Sequence, residues 1–217
     1  EDCRRQRQMC IRDSNKREGG RIDEKKASGL EKFFDKQNLM LGRLKTGTPP
    51  RLARETINFE VLEEQPGDQE VCYMSFLENK NHHPKQVSCY ITKTNKRTHN
   101  IIKKNIKKSA MYSGLISGVG PRYCPSIEDK IMRFSSKDSH QIFVEPEGLE
   151  SNWVYPNGIS TSLPGEVQEE YIRSIEGFES AEILQQGYAV EYDYIDPRNL
   201  EKTLRLKNLK NLFLAGQ

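Results

Sequence analysis

The run Gly120–Phe134 constrains this chain more than any other segment, because two prolines fix the backbone on both sides of Cys124. Three cations, Arg122, Lys130 and Arg133, accompany that thiol, and nearby cations favour the reactive thiolate form. A free cysteine is also among the residue types that proteins bury most often. The run therefore predicts either a stiff loop for thiol chemistry or anion binding, or a cysteine that fills a gap beneath a loop.

Composition excludes some classes of protein. The 217 residues carry 34 Lys and Arg against 31 Asp and Glu, and this net charge of +3 permits a nucleic-acid partner without requiring one. No apolar run is long enough to cross a bilayer, and the mean hydropathy is −0.80. The five cysteines form no CxxC pair and no metal-ligand spacing with the four histidines. We therefore expect a reducing compartment, with neither a metal site nor a disulfide framework.

Both ends of the chain differ from an ordinary domain terminus. The segment Glu1–Ser14 is basic, lacks periodicity and resembles a translated sequencing adaptor, so we predict that it is foreign sequence. At the other end, Asn211–Gln217 has the pattern of a buried strand that runs into a glycine, where an α/β protein normally begins a helix. We expect the chain to be an internal fragment of a longer protein.

Apolar periodicity between these ends predicts a mixture of helices and strands. Helices are expected at Gly29–Asn38, Thr98–Ser109 and Pro164–Ile175. Strands are expected at Thr56–Leu62, Val71–Leu77, Gln86–Thr92, Gln141–Glu147 and Ala189–Tyr194. The second and third of these strands suggest a small antiparallel sheet. Glycines and a Pro-Pro pair predict a stiff loop at Leu41–Leu52, and a Pro-Gly pair predicts a turn at Gln65–Gln69.

The helix predicted at Thr98–Ser109 has an unusual charge distribution. Its apolar positions are isoleucines, and its exposed side carries Lys103, Lys104, Lys107 and Lys108. Such a stripe is suited to contact phosphates, as in a nucleic-acid interface. A solvated helix face has the same pattern, so both interpretations stay open.

Seven segments resemble one known family in order and spacing. They are GRLKTGTPPR at Gly42–Arg51, HPKQVSCYIT at His83–Thr92, GVGPRYCPSIEDKIMRF at Gly118–Phe134, HQIFVEPEG at His140–Gly148, YPNGISTSLP at Tyr155–Pro164, GYAVEYDYIDPRNL at Gly187–Leu200 and LFLAGQ at Leu212–Gln217. Motifs of this length are far more specific than a single glycine fingerprint. From about Gly19 onward the chain resembles the MnmG/GidA family, the large subunit of the enzyme that modifies the wobble uridine of tRNA.

The resemblance implies a fold class and a domain organisation. The fold is α/β, with part of an FAD-binding Rossmann-like domain and an inserted α+β domain of the NADH-binding type. Residues 15–55 and 196–217 would belong to the FAD-binding domain, and residues 56–195 to the inserted NADH-binding or substrate domain. The family's N-terminal GxGxxG, which holds the FAD pyrophosphate, and its C-terminal helical region do not occur in this sequence.

The resemblance also implies an activity. The family uses FAD, NADH and methylenetetrahydrofolate, and acts with an MnmE-type GTPase partner. It adds an aminomethyl or carboxymethylaminomethyl group to C5 of the wobble uridine in tRNA. A homodimer in the bacterial cytoplasm is implied, with no membrane association, and a mitochondrial location is the alternative.

Candidate site residues follow from matching positions. Cys124 matches the family's functional cysteine and inherits the role of nucleophile or, alternatively, of proton donor. The nicotinamide-binding segment corresponds to Gly120, Pro121, Arg122, Tyr123, Cys124, Pro125, Ser126, Ile127, Glu128, Asp129, Lys130, Ile131, Met132, Arg133 and Phe134. Its three cations suit a pyrophosphate, although Glu128 and Asp129 are equally suited to hold them in structural ion pairs.

Flavin contacts are implied at three other places. Thr46, Gly47 and Thr48 lie in the segment Lys45–Pro50, whose glycine and prolines would present backbone amides at fixed geometry, although Pro49 and Pro50 equally suit a structural turn. Gly216 and Gln217 match a strand end that meets the cofactor. Ser28 is the nearest match to a flavin-contacting serine of the family, and ungapped spacing would place Ala27 there instead.

Two other functions remain as alternatives. One is a folate- and FAD-dependent tRNA uridine methyltransferase. The SCYIT and PSIEDK motifs favour the wobble-uridine enzyme over it. The other is a non-catalytic RNA-binding module built on the basic helix near Lys103–Lys108.

Overall fold

The computed structural model describes residues 7–12, 15–19, 33–34, 36–70, 85–116, 118, 120 and 125–215. Ten strands and three α-helices are defined within these ranges. No helix in the described part of the chain is long and apolar enough to span a membrane. The predicted strand Val71–Leu77 and half of the predicted helix Gly29–Asn38 lie outside the described residues, and in the described half of that helix Phe33, Phe34 and Lys36 are helical.

The first sheet joins the beginning of the chain to its later part. Its strands are β1 (Arg7–Arg12), β2 (Asn15–Glu18), β3 (Leu41–Thr48) and β10 (Tyr188–Ile195), in the order β2-β1-β10-β3. All pairs are antiparallel, and β10 and β3 pair along their whole length, from Tyr188 opposite Thr48 to Ile195 opposite Leu41. The interpretation of residues 1–14 as foreign sequence stays a prediction, although residues 7–12 of that segment form β1.

The second sheet contains the remaining six strands. They are β4 (Arg51–Ala53), β5 (Glu63–Gln65), β6 (Cys89–Lys93), β7 (Gln141–Pro146), β8 (Trp153–Asn157) and β9 (Ile183–Gln185). Their order is β5-β6-β7-β8-β4-β9, again with antiparallel pairs. The chain thus passes from the first sheet to the second between Thr48 and Arg51 and returns between Gln185 and Tyr188. The predicted domain boundaries at 56 and 195 stay predictions.

Three helices cover the second sheet. They are α1 (Lys96–Asn105), which continues as a 3₁₀ turn over Ile106–Lys108, α2 (Ile127–Arg133) and α3 (Gly165–Ile172). Each buries apolar side chains in one core with the strands, including Ile102, Ile131 and Ile172. A smaller cluster around Phe34, Leu39 and Leu206 packs beside the first sheet. The helices predicted near residues 98–109 and 164–175 are confirmed, as are the strands near 141–147 and 189–194.

The loop predicted at Leu41–Leu52 is wrong for most of its length. Strands β3 and β4 occupy it, and only Pro49 and Pro50 interrupt them. Gly42 faces the ring of Tyr194 so closely that a Cβ there would lie 2.5 Å from the ring. This glycine therefore marks close packing against β10 and not a turn.

Two further local predictions are wrong. The segment predicted as the strand Thr56–Leu62 contains 3₁₀ turns at Arg54–Thr56 and Phe59–Val61, the second capped by the Asn58 side chain, which accepts the N–H of Glu60. The predicted strand Asn211–Gln217 shows only an isolated bridge from Phe213 to Arg205 in its described part, and Phe213 is exposed. The predicted strand Gln86–Thr92 is present as β6, but it begins three residues later.

Candidate functional site

Four of the sequence motifs meet in space where the two sheets join. The end of β3 packs against the loop Ile159–Leu163, because a Cβ on Gly47 would lie 3.4 Å from the Cβ of Ser160. At Gly187, just before β10, a Cβ would lie 2.8 Å from the carbonyl oxygen of Thr48 and 3.0 Å from Cγ2 of Thr161. The motifs around residues 47, 160 and 187 therefore form one packed unit, against which the Gly118–Phe134 motif also lies.

The segment that enters the cysteine motif is anchored on the first sheet. The backbone N–H of Gly118 donates to Oε1 of Glu191 at 2.8 Å, and Glu191 is buried on β10. A Cβ on Gly118 would lie 2.9 Å from the carbonyl carbon of Leu44, so only glycine fits against β3 here. Gly120 has more room, with Cε of Lys45 at 3.5 Å from its Cβ position.

The segment that leaves the cysteine motif is anchored on the second sheet's core. The N–H of Ile127 donates to the carbonyl oxygen of Ser160 at 2.8 Å, and the Ile127 side chain is fully buried. Ser126 caps α2, since its hydroxyl oxygen accepts the N–H of Asp129. Cys124 lies outside the described residues, whereas Gly118 before it and Ile127 after it are fixed to the same packed unit.

Glu128 is the centre of a buried hydrogen-bond network. Its Oε1 accepts the hydroxyls of Ser109 and Thr161, each at 3.0 Å, and the N–H of Ser162 at 3.1 Å. Burial raises the pKa of the Glu128 carboxyl, and these hydrogen bonds only partly oppose that shift. Its Oε2 is buried and has no partner within the described part of the chain. Glu128 therefore ties α2 to the two loops that carry Ser109 and Thr161.

The other charged residues of α2 are Asp129, Lys130 and Arg133, and each has a polar partner. Asp129 accepts the hydroxyl of Tyr112 at 3.0 Å and lies 4.0 Å from the guanidinium of Arg133. Lys130 donates to the carbonyl oxygen of Gly158 at 2.7 Å. The structural ion pair that the sequence left open is thus present for Asp129 with Arg133. For Glu128 that alternative is wrong among the described residues, because its donors are hydroxyls and a backbone amide.

The predicted site residues fall into three groups. Pro121, Arg122, Tyr123, Cys124, Ser28, Gly216 and Gln217 lie outside the described residues. Ser126, Ile127, Glu128, Asp129 and Ile131 are buried, so a ligand cannot contact their side chains without rearrangement. The remainder lie at or near the surface or in β3: Thr46, Gly47, Thr48, Gly120, Pro125, Lys130, Met132, Arg133 and Phe134.

Sequence reasoning gave no role to several residues that hold this site together. Glu191 fixes Gly118, and its only sequence signal is a charge inside an otherwise apolar stretch of strand. Gln168 on α3 is buried, donates to the carbonyl oxygens of Leu163 and Gly187 and accepts the N–H of Gly187 at 2.7 Å. The sequence signal of Gln168 is similar to that of Glu191, since a side-chain amide among the apolar positions of a helix needs buried hydrogen-bond partners. No cluster of metal ligands occurs among the described residues.

Comparisons with known proteins agree with this architecture. The profile of the family described as glucose inhibited division protein A matches residues 5–217. The tRNA uridine 5-carboxymethylaminomethyl modification enzyme MnmG of Buchnera aphidicola subsp. Cinara cedri is 58% identical over 204 residues, which are 92% of this chain. Aquifex aeolicus GidA matches in two crystal forms, with TM-scores of 0.84 and 0.83 and identities of 46% and 42% over 94% and 96% of this chain.

The matches cover only part of each relative. The chain spans 32% of the Buchnera protein and 35% and 34% of the two Aquifex structures. The predicted α/β fold class is confirmed by these structural matches together with the mixed helices and sheets described above. With nearly its whole length matched by the family profile, the chain belongs to the GidA family, to which MnmG also belongs.

Proposed function

We propose that this chain is the part of a tRNA-modifying flavoenzyme that carries the reactive cysteine. The reaction adds an aminomethyl or carboxymethylaminomethyl group to C5 of the wobble uridine, and the Buchnera relative is named for this modification. The observation that carries the proposal is the convergence of four family motifs around the two anchors of the Cys124 segment.

The chemistry requires activation of a poor nucleophile, C5 of uracil. When the Cys124 thiolate forms a bond to C6, the electron pair of the C5–C6 double bond moves toward C5 and O4, and C5 can attack a one-carbon iminium electrophile. Loss of the C5 proton then allows the S–C6 bond to break and restores the thiolate. The alternative role for Cys124, proton donation, uses the same position, and the two roles predict different trapped species.

The described residues fit the proposed cofactors in part. FAD would supply redox chemistry and NADH the reducing equivalents, with methylenetetrahydrofolate as the one-carbon donor. On α2, only the partly exposed or exposed positions, such as Arg133, are able to meet the phosphates of a dinucleotide, and the buried positions serve as a scaffold. On β3, Ser160 packs against the Cβ side of Gly47, so a flavin would contact Gly47 through its backbone.

The proposed partners follow the family. They are tRNA as substrate, an MnmE-type GTPase and a second copy of the protein, in the bacterial cytoplasm or in mitochondria. Because the chain spans about a third of its relatives, these partners belong to the full-length protein that carries it.

The decisive experiment is a Cys124→Ser substitution in the full-length protein. Nucleosides from tRNA incubated with FAD, NADH, the folate and the GTPase partner are analysed by mass spectrometry. We expect loss of the C5 modification with tRNA affinity unchanged. A variant that still modifies tRNA would overturn the role of Cys124.

The two alternative functions give other outcomes of the same assay. A methyltransferase would yield 5-methyluridine in place of the larger group. A non-catalytic RNA-binding module would yield no product with the wild-type protein and the same tRNA affinity in both proteins.

A further inference from the structure

The helix α1 and the turn after it form a strongly basic surface. Over Lys96–Lys108 the chain carries six cations and no Asp or Glu. All six cationic side chains are exposed. Four of them, Lys103, Lys104, Lys107 and Lys108, lie in the last turn of α1 and in the 3₁₀ turn, and we call these four the basic face.

The opposite side of the helix fixes the orientation of the basic face. Ile101 and Ile102 are buried in the main core. At the N-terminus Asn95 forms a capping box with Thr98 and donates from its side-chain amide to the carbonyl oxygen of Ser174 at 2.6 Å. The lysines are therefore held on a rigid frame, which lowers the entropic cost of presenting them to a ligand.

Within the described part of the chain, the basic face has no acidic partner. The single ion pair of this segment joins Lys96 to Asp138 at 3.4 Å, and both of those side chains are more than three-quarters exposed. The four lysines of the basic face form no ion pair with a described residue. Their charges are consequently available to an anionic partner, and four like charges in six residues repel one another until such a partner binds.

The basic face lies beside the scaffold of the cysteine segment. Ser109 follows Lys108 directly, and its hydroxyl donates to Glu128 on α2. Met111 lies two residues further on, and its Cε is 3.4 Å from the Cβ position of Gly47 on β3. A polyanion that lies along the basic face would therefore run toward the packed unit that holds both flanks of Cys124.

We propose that the basic face binds the phosphate backbone of the tRNA whose uridine reaches Cys124. This inference rests on the proposed function, because it takes tRNA as the substrate. Lysines contact phosphates as point charges without reading base sequence, so the basic face supplies affinity and position while other residues select the uridine. Each phosphate contact releases counterions, so binding must weaken as salt is added.

The test replaces the basic face with K103Q/K104Q/K107Q/K108Q in the full-length protein. The matched control, K36Q/K85Q/K202Q/K210Q, removes the same number of positive charges from exposed positions outside the basic face. Affinity for the substrate tRNA is measured between about 50 and 200 mM salt, a range over which several phosphate contacts change affinity by orders of magnitude. Melting temperature and tRNA modification kinetics are measured on the same proteins.

We expect the basic-face variant to bind tRNA at least about tenfold more weakly than wild type at the low-salt end. The slope of log affinity against log salt should become less steep by about 3. The KM for tRNA should rise by a similar factor while kcat and melting temperature stay at their wild-type values. The control variant should retain most of the wild-type slope and affinity.

Three outcomes would overturn the proposal or separate it from the proposed function. Equal losses in both variants would show a general charge effect and overturn the basic face. Lost binding of the GTPase partner with unchanged tRNA affinity would overturn it in favour of a protein interface. If the wild-type protein is active and the basic-face variant shows unaltered kinetics and tRNA binding, the tRNA-binding role of the basic face is overturned and the proposed function stands. A wild-type protein that binds tRNA but never modifies it contradicts the proposed function.

Discussion

Two buried glutamates hold the two flanks of the Cys124 segment, and their electrostatic surroundings differ. Glu191 accepts the N–H of Gly118, and its other oxygen lies 3.8 Å from the guanidinium of Arg43. Among the described residues, Glu128 accepts from two hydroxyls and a backbone N–H and has no cation beside it. A cation beside a buried carboxylate compensates its charge, whereas burial among neutral donors raises the pKa of the Glu128 carboxyl. The upstream anchor is therefore charge-compensated, and the downstream anchor is held by neutral donors.

The donors around Glu128 form a chain of hydrogen bonds in place of an ion pair. The hydroxyls of Ser162 and Ser109 lie 2.9 Å apart, and Ser162 accepts the N–H of Met111, so the downstream network has a consistent direction toward Glu128. The upstream anchor has the Arg43 guanidinium beside its carboxylate instead.

The largest effect is expected from Glu128→Ala. The substitution leaves two hydroxyls and a backbone N–H without their shared acceptor in a buried site, which should cost about 3 kcal/mol or more of unfolding free energy. Urea unfolding followed by the fluorescence of Trp153, the single tryptophan of the chain, measures the loss. Glu128→Gln is the control, and it should stay within about 1 kcal/mol of wild type because its amide oxygen keeps the shape and the acceptor that the three donors share. A loss as large for Gln as for Ala would show that the shared acceptor oxygen is not what holds the downstream anchor.

A smaller effect is expected from Gly118→Ala at the upstream anchor. The added Cβ would lie 2.9 Å from a backbone carbon of Leu44 in β3, so the segment must shift and strain its bond to Glu191. Overpacking of this kind should cost about 2 kcal/mol, again measured by urea unfolding. Gly120→Ala is the matched control, since its Cβ meets only the flexible end of Lys45 at 3.5 Å. Equal stabilities of the two variants would show that Gly118 does not fix the segment.

Two other glycines, Gly42 and Gly47, show what sequence alone could and could not predict. The alternation in β7 and the apolar face of α1 are local patterns, and both elements were predicted correctly. The loop predicted for β3 failed because Gly42 and Gly47 are there to fit Tyr194 and Ser160, which lie more than a hundred residues away in sequence. Glu128 was placed in a nicotinamide-binding segment, with an ion pair to a nearby cation as the alternative, and its burial was not predicted for a similar reason. Its burial depends on three partners from other segments, and no local pattern records them.

The pH dependence of stability tests the raised pKa of Glu128. Because burial raises the folded-state pKa of Glu128 above its ordinary value, the folded protein binds this proton more tightly than the unfolded chain. Its contribution to stability is then fully present below the ordinary pKa of Glu and is lost as pH rises toward the folded pKa, by at most about 1.4 kcal/mol per pH unit. The difference in unfolding free energy between wild type and Glu128→Gln, measured from acid to neutral pH, should shift in favour of Gln. A difference that is constant with pH would mean that Glu128 has the same charge in both states.

The smallest effect is expected from Glu191→Gln. The amide oxygen still accepts the N–H of Gly118, so only the charge is lost, and a charge-assisted bond exceeds a neutral one by about 1 kcal/mol. Arg43 also pairs with Asp193 at 2.9 Å, so a double-mutant cycle with Arg43→Gln is needed to isolate the Arg43–Glu191 interaction. We expect a coupling of about 1 kcal/mol in this cycle and none in the control cycle of Glu128→Gln with Arg133→Gln. If both cycles gave the same coupling, the guanidinium beside Glu191 would not distinguish the two anchors.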